Sequence, residues 1–280
     1  MALTEHDGIS IAEICVYSPA LIIAIFLCIR HGFGRSSGWF YLIMFSLARL
    51  IGSAMQLATI SQPTNISLYI GAAVLANVGL SPLILIQLGL LSRALTSIRK
   101  SVQTFVNEKM LRIVQLLILV SLILTTVGGS QAGSDYANTG VYAVPDLSRA
   151  GMGLLIAGFV LTVMAAGQVA MQISHAELGE KRLSLAVALA LPFILVRMVY
   201  AAESAFSSNA KFNQLTGDIN VQLGMSVIME MIAVAIIEGF GLSLKKMTPK
   251  DQSGAATQKR LVNDQYEMVP HAENGHNSSR

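Results

Sequence analysis

Charge is what this chain has least of. Only 12% of its 280 residues are Asp, Glu, Lys or Arg, against about 25% in a soluble domain. That shortage excludes an ordinary water-solvated globule. Cysteine is nearly absent too. Cys15 and Cys28 fall in one hydrophobic segment, where a helix would hold them roughly 20 Å apart, too far for a disulfide. The sequence has no metal-ligand cluster, glycine-rich phosphate loop or nucleophile elbow, so redox and metal chemistry are not expected and no cofactor is implied. Basic runs interleaved with aromatics are also missing. Nucleic acid is therefore not an expected partner, despite a formal net charge of +3.

What is there is apolar length. Hydrophobic residues make up 53% of the chain, and mean hydropathy is +0.60. A helix needs about 20 mostly apolar residues to cross a bilayer. Runs of that kind cover residues 9–29, 38–60, 68–91, 110–129, 150–173, 183–203 and 221–244. The fold class read from them is all-α, a seven-helix transmembrane bundle whose main partner is the lipid bilayer. Residues 1–8 form a short leading segment with Glu5 and Asp7. A signal peptide starts with positive charge, so the first run reads as an uncleaved span. Trp39, Phe40 and Tyr41 open span two as interfacial aromatics. Residues 130–149 read as a long polar loop. The tail, residues 245–280, is polar and poor in large apolar residues, which reads as disorder.

Orientation follows from where the basic residues fall. Loops one, three and five, with their edges and the tail, hold fifteen of the nineteen Lys and Arg residues. Lys and Arg accumulate on the cytoplasmic side. The amino terminus is therefore expected outside and the tail in the cytosol, with plasma membrane and endomembrane both open. Asn65-Ile66-Ser67 is a glycosylation sequon on the outer side. It lies so close to span three that the bilayer should obstruct modification.

Polar residues inside the spans carry the functional reading. A charged side chain at the bilayer centre costs about 2.5–3.5 kcal/mol on insertion scales, so it usually keeps a partner or a wet cavity. A rise of about 1.5 Å per residue puts Arg49, Asn77 and Glu230 near the midplane and Arg197 slightly outside it. Glu13 and Glu203 fall near the outer boundary, and Glu238 in the inner half. Glu230 is expected to pair with Arg197 or with Arg49. Arg49, Ser53 and Gln56 share one face of span two, while Arg197, Tyr200 and Glu203 step three apart along span six. These stripes point to a polar seam between spans two, three, six and seven. Its expected members are Arg49, Gln56, Asn77, Arg197, Tyr200, Glu203, Glu230 and Glu13, none of them assigned a catalytic role. Pro19, Pro82 and Pro192 lie inside spans, where proline usually kinks a helix and opens gaps. The same residues serve a plainer purpose equally well, since a buried Arg–Glu pair also fixes helix register.

Asp7-Gly8-Ile9-Ser10-Ile11-Ala12-Glu13, Arg30-His31-Gly32-Phe33-Gly34-Arg35 and Arg49-Leu50-Ile51-Gly52 resemble a group of uncharacterised fungal integral membrane proteins with seven predicted helices. The resemblance covers the seven spans and not the tail, and it implies no activity. Arg197-Met198-Val199-Tyr200-Ala201-Ala202-Glu203 is similar to an arginine–aromatic–glutamate run of the fungal lipid-translocating exporters, with Ala201 where that family tends to have arginine. A retinal protein needs a Schiff-base lysine in mid-membrane, and span seven has none before Lys245. The Asp-Arg-Tyr and Asn-Pro-x-x-Tyr signatures of rhodopsin-like receptors are absent as well. Three readings follow. The first is a non-enzymatic protein that binds or moves a small amphipathic or anionic lipid-like ligand, and two midplane arginines that outnumber the central acids motivate it. The second is an intramembrane enzyme resembling the fungal seven-helix terpene cyclases, with Glu13, Glu203 and Glu230 as proton donors. The third is a receptor-like or structural scaffold.

Overall fold

The computed structural model describes residues 4–31, 37–98, 108–140, 143–173, 178–207, 210–212 and 217–244. The expected disordered tail lies outside them. The helices are α1 (Glu5–His31), α2 (Ser37–Ser61), α3 (Ile66–Val78), α4 (Leu80–Ile98), α5 (Glu108–Thr139), α6 (Asp146–Met171), α7 (Leu178–Phe206), α8 (Ile219–Gln222) and α9 (Ile228–Ser243). A short 3₁₀ turn, Ala210–Phe212, follows α7, and a π turn, Leu223–Val227, joins α8 to α9. Among the described residues, seven helical stretches are long and apolar enough to span a membrane. The third, Ile66–Thr96, runs through α3 and α4, and the seventh, Ile219–Ser243, runs through α8, the π turn and α9. The chain is a multi-pass membrane protein.

Burial follows the periodicity of each span. On α1 the buried residues Ser10, Glu13, Tyr17, Ala20, Ala24 and Leu27 alternate in steps of three and four, one stripe of a helix. Helices α1, α2, α4, α7 and α9 pack in a closed ring, each against the next, while α5 and α6 pair with each other and cover α4. The most apolar window of span three is 72% buried, against 22% in span four. Helix α4 is thus the central rod, and α5 shows most of its surface to lipid, as its uniformly apolar sequence implies.

Helices in lipid gain little from the hydrophobic effect, so close contact of small residues holds them together. The α5–α6 pair is built this way. A Cβ on Gly128 would lie 2.6 Å from the Ser148 amide nitrogen, and one on Gly151 would lie 2.9 Å from that of Thr125. Ser121 donates to the Gly151 carbonyl at 2.7 Å. At the opposite end of the bundle from the N-terminus, Arg30 and Arg182 each donate to a carbonyl in the last turn of α9, at Leu242 and Ser243. Cations there complement the helix dipole.

Two expectations need correction. Helix α5 continues to Thr139, so the first ten residues of the predicted loop 130–149 are helical. No proline interrupts them before Pro145, and packing on α3 supports them: Ala132 is buried, and Gly133 lets the Ile70 side chain come close. Trp39 is fully buried, not interfacial. It stacks on His31 and lies against Gly241. Of the prolines within spans, Pro19 lies inside α1 and Pro192 inside α7. The break in span three falls at Gly79, and Pro82 occupies the first turn of α4, where a missing N–H leaves no intrahelical bond unmade.

Candidate functional site

At the N-terminal end of the bundle lies a partly open cavity of about 240 Å³. Helix α1 gives it His6, Ser10 and Glu13; α2 gives Arg49, Ser53 and Gln56; α3 gives Ala72, Leu75 and Ala76. Arg197 and Tyr200 come from α7, and Gln222, Ser226 and Val227 from the α8–π region. Helical spacing aims these groups at one place. Arg49, Ser53 and Gln56 form the continuous stripe their i, i+4, i+7 positions demand.

Charges meet at the cavity floor. Glu230, fully buried on α9, is held between two guanidinium groups. One oxygen accepts from Arg197 Nε at 2.7 Å, and the other pairs with Arg49 Nη2. The sequence left open which arginine Glu230 would choose, and the answer is both. Arg49 Nη1 also stands 3.6 Å from Glu13, whose other oxygen accepts from Ser53 Oγ at 2.5 Å. The Ala76 carbonyl takes N–H donors from both arginines, at 3.2 Å from Arg49 Nη2 and 3.3 Å from Arg197 Nη2. Gly79 makes the approach feasible, because a Cβ there would sit 2.6 Å from Arg49 Nη2. Beneath the arginines lie aromatic faces. Arg49 sits over Phe45 at 5.7 Å and Arg197 over Tyr200 at 5.5 Å, distances at which cation–π attraction acts.

Of the expected seam residues, the fold gathers Glu13, Arg49, Gln56, Arg197 and Tyr200 around the cavity, with Glu230 just below its lining. Asn77 is half-buried and is not part of the lining. Its neighbour Ala76 faces the arginines instead. Glu203 is exposed and lies off the cavity. Six residues turn a helix through about 600°, so Glu203 points roughly 120° away from Arg197. The seam also takes in α1, which carries the expected Glu13 but lies outside the four spans between which the seam was expected. Glu13 reaches inward to Arg49, and this overturns the idea that arginines outnumber acids at this level. Two arginines face two glutamates, and the cluster is formally neutral.

Residues 3–247 match the family model described as a domain of unknown function, DUF7702. The chain belongs to the DUF7702 family. The match takes in all seven spans and carries no activity with it, as the resemblance noted from the sequence implied. No curated protein and no solved structure matches the chain.

In this DUF7702 chain the polar groups of the site are not all satisfied. Arg197 is 1% exposed, yet its Nη1 has no hydrogen-bond partner, and the same holds for Arg49 Nε. Buried polar atoms normally find partners, so each exception asks for a reason. Nothing in the sequence could have flagged the Ala76 carbonyl or Gly79, because neither has a polar side chain. Glu13 was legible as an acid within an apolar run.

Proposed function

We propose that this DUF7702 protein binds a small amphipathic molecule in the cavity between α1, α2, α3 and α7. The polar end of the ligand meets Arg49 and Arg197, and its apolar part lies along Ala72, Leu75 and Val227. One observation carries the reading: Arg197 is a buried cation on the cavity wall whose Nη1 has no partner, an enclosed donor that meets a ligand acceptor once the guanidinium turns toward the cavity. A hydrogen bond to a charged group contributes about 1.5–3 kcal/mol, and an acceptor on a ligand would recover it. The distribution of basic residues supports a cavity that opens on the non-cytoplasmic side.

The enzymatic alternative has less support. Both Glu230 oxygens face arginines, and Glu203 is turned away, so a single carboxyl, Glu13, is presented to the cavity. Acid-initiated cyclisation needs a donor and a means of taking the proton back. As a scaffold alone, the chain would have no use for an open cavity over its charge cluster.

The test is ligand binding by native mass spectrometry on the purified protein in detergent, with medium-chain alcohols and carboxylates as probes. Wild type should retain at least one probe class. Arg197→Gln, checked for an intact fold by circular dichroism, should bind it roughly tenfold more weakly. Equal binding by a folded variant, or no retention by wild type, would remove the proposal.

A further inference from the structure

The neutrality of the cluster decides what charge the cavity can accept. We infer that the ligand enters as a monoanionic carboxylate accompanied by one proton, and that the proton goes to Glu13. The inference rests on the ligand-binding reading above and names its chemical class and its coupling.

Two donors define the anion's seat. Arg197 Nη1 has no partner and is enclosed, so it donates to the anion once the guanidinium turns toward the cavity, and Arg49 Nη1 is held only loosely, 3.6 Å from Glu13, beyond hydrogen-bond distance. Both arginines line the same cavity. Two guanidinium N–H edges offer a carboxylate two charge-assisted hydrogen bonds, whereas a hydroxyl could accept fewer and weaker ones. An anion added to a balanced buried cluster leaves one uncompensated negative charge, which is strongly unfavourable away from water. Taking up one proton with the anion restores the balance.

Glu13 is the group placed to receive it. Its side chain is 10% exposed and lines the cavity, while Glu230 is 0% exposed, engaged by two arginines and outside the lining. From α2 it faces Arg49, with Ser53 donating to it; from α7 Arg197; from α9 Glu230. On its own helix, Tyr17 lies one turn below and His6 and Asp7 lie above, Asp7 being tied to the Thr4 amide and hydroxyl. The Ser53 hydroxyl now donates to Glu13. Once Glu13 is protonated, its O–H can donate to Ser53 Oγ, because a hydroxyl is both donor and acceptor. Arg49 Nη1 is then released to the ligand. The step balances: a carboxylate and a proton enter, Glu13 changes from carboxylate to carboxylic acid, and the net charge of the site is unchanged.

Isothermal titration calorimetry reads the proton directly. Octanoate is titrated into the full-length protein in detergent at pH 7 in phosphate and in Tris, whose ionisation enthalpies differ. Wild type should take up about one proton per octanoate bound, and its affinity should rise about tenfold per unit fall in pH wherever free Glu13 is ionised. Glu13→Gln should bind octanoate with no proton uptake and no pH dependence, while Glu203→Gln, exposed and off the cavity, should keep the uptake. Octanoate binding by wild type without proton uptake, or uptake that persists in Glu13→Gln, would overturn the inference. The wild-type measurement stands even if a variant fails to fold. Octanol separates the two levels of proposal: if octanol binds in an Arg197-dependent way and octanoate does not, the cavity reading survives and the proton-coupled one fails. If neither binds, both fall.

Discussion

Gly79 sits in a right-handed helical conformation, φ −55° and ψ −30°, where alanine would ordinarily be the better residue by about 0.5–1 kcal/mol. Here the sign should reverse. A Cβ would meet Arg49 at three atoms, between 2.6 and 3.0 Å. That guanidinium cannot simply move, because Glu230 and the Ala76 carbonyl hold it. Gly79→Ala should destabilise the protein by about 1–3 kcal/mol, read as a lower unfolding midpoint in detergent. Gly239→Ala on α9, where nothing lies within 4 Å, should be neutral or slightly stabilising. Equal effects of the two would show that the Gly79 contact carries no weight. The same residues mark how far the sequence could be read. Arg49, Arg197 and Glu230 were legible because charge in an apolar run is conspicuous and depth follows from counting. Glu203 was misplaced because stepping in threes hides a cumulative rotation. The backbone parts of the site left no trace, since a carbonyl looks alike at every position.

At the scale of elements, the α5–α6 pair offers two neighbouring glycines with different surroundings. Gly128 faces the Ser148 backbone at 2.6 Å, while Gly129 meets only Val74 Cγ2 at 3.5 Å, an ordinary contact. Backbone cannot give way as a side-chain tip can, so the helices would have to part. Gly128→Ala should cost about 1–3 kcal/mol in thermal unfolding, and Gly129→Ala should cost little or gain from helix propensity. The reverse order would mean that tight glycine packing does not hold this pair together. Span positions were readable throughout, because hydropathy reports which residues lipid can solvate. Helix ends outside the lipid were not. Residues 130–139 are polar in composition and helical through packing on α3, a tertiary effect with no local signature. The π turn Leu223–Val227 was likewise invisible. It precedes Glu230 by less than one turn and supplies Ser226 and Val227 to the cavity wall, in keeping with the habit of π bulges to occur at functional sites.

For the whole molecule, an odd number of spans puts the first and last helices' free ends on opposite faces. The cavity shares its face with the start of α1 and with the turn between α2 and α3. If basic residues orient the bundle, that face is outside, and the charge cluster is reached from there. The native sequon then sits on the glycosylated side at Asn65. Its side chain is already engaged, donating to Gln62 Oε1 at 3.0 Å, and α3 starts at the next residue. The bilayer surface should keep the modifying enzyme away. Expressed in a eukaryotic cell, the wild-type protein should therefore show no endoglycosidase-sensitive shift. An acceptor sequon on a flexible linker before Met1 should add one, and the same linker after Arg280 should not. A shift with the carboxy-terminal sequon and none with the amino-terminal one would invert the bundle, and the cavity would then draw its ligand from the cytosol.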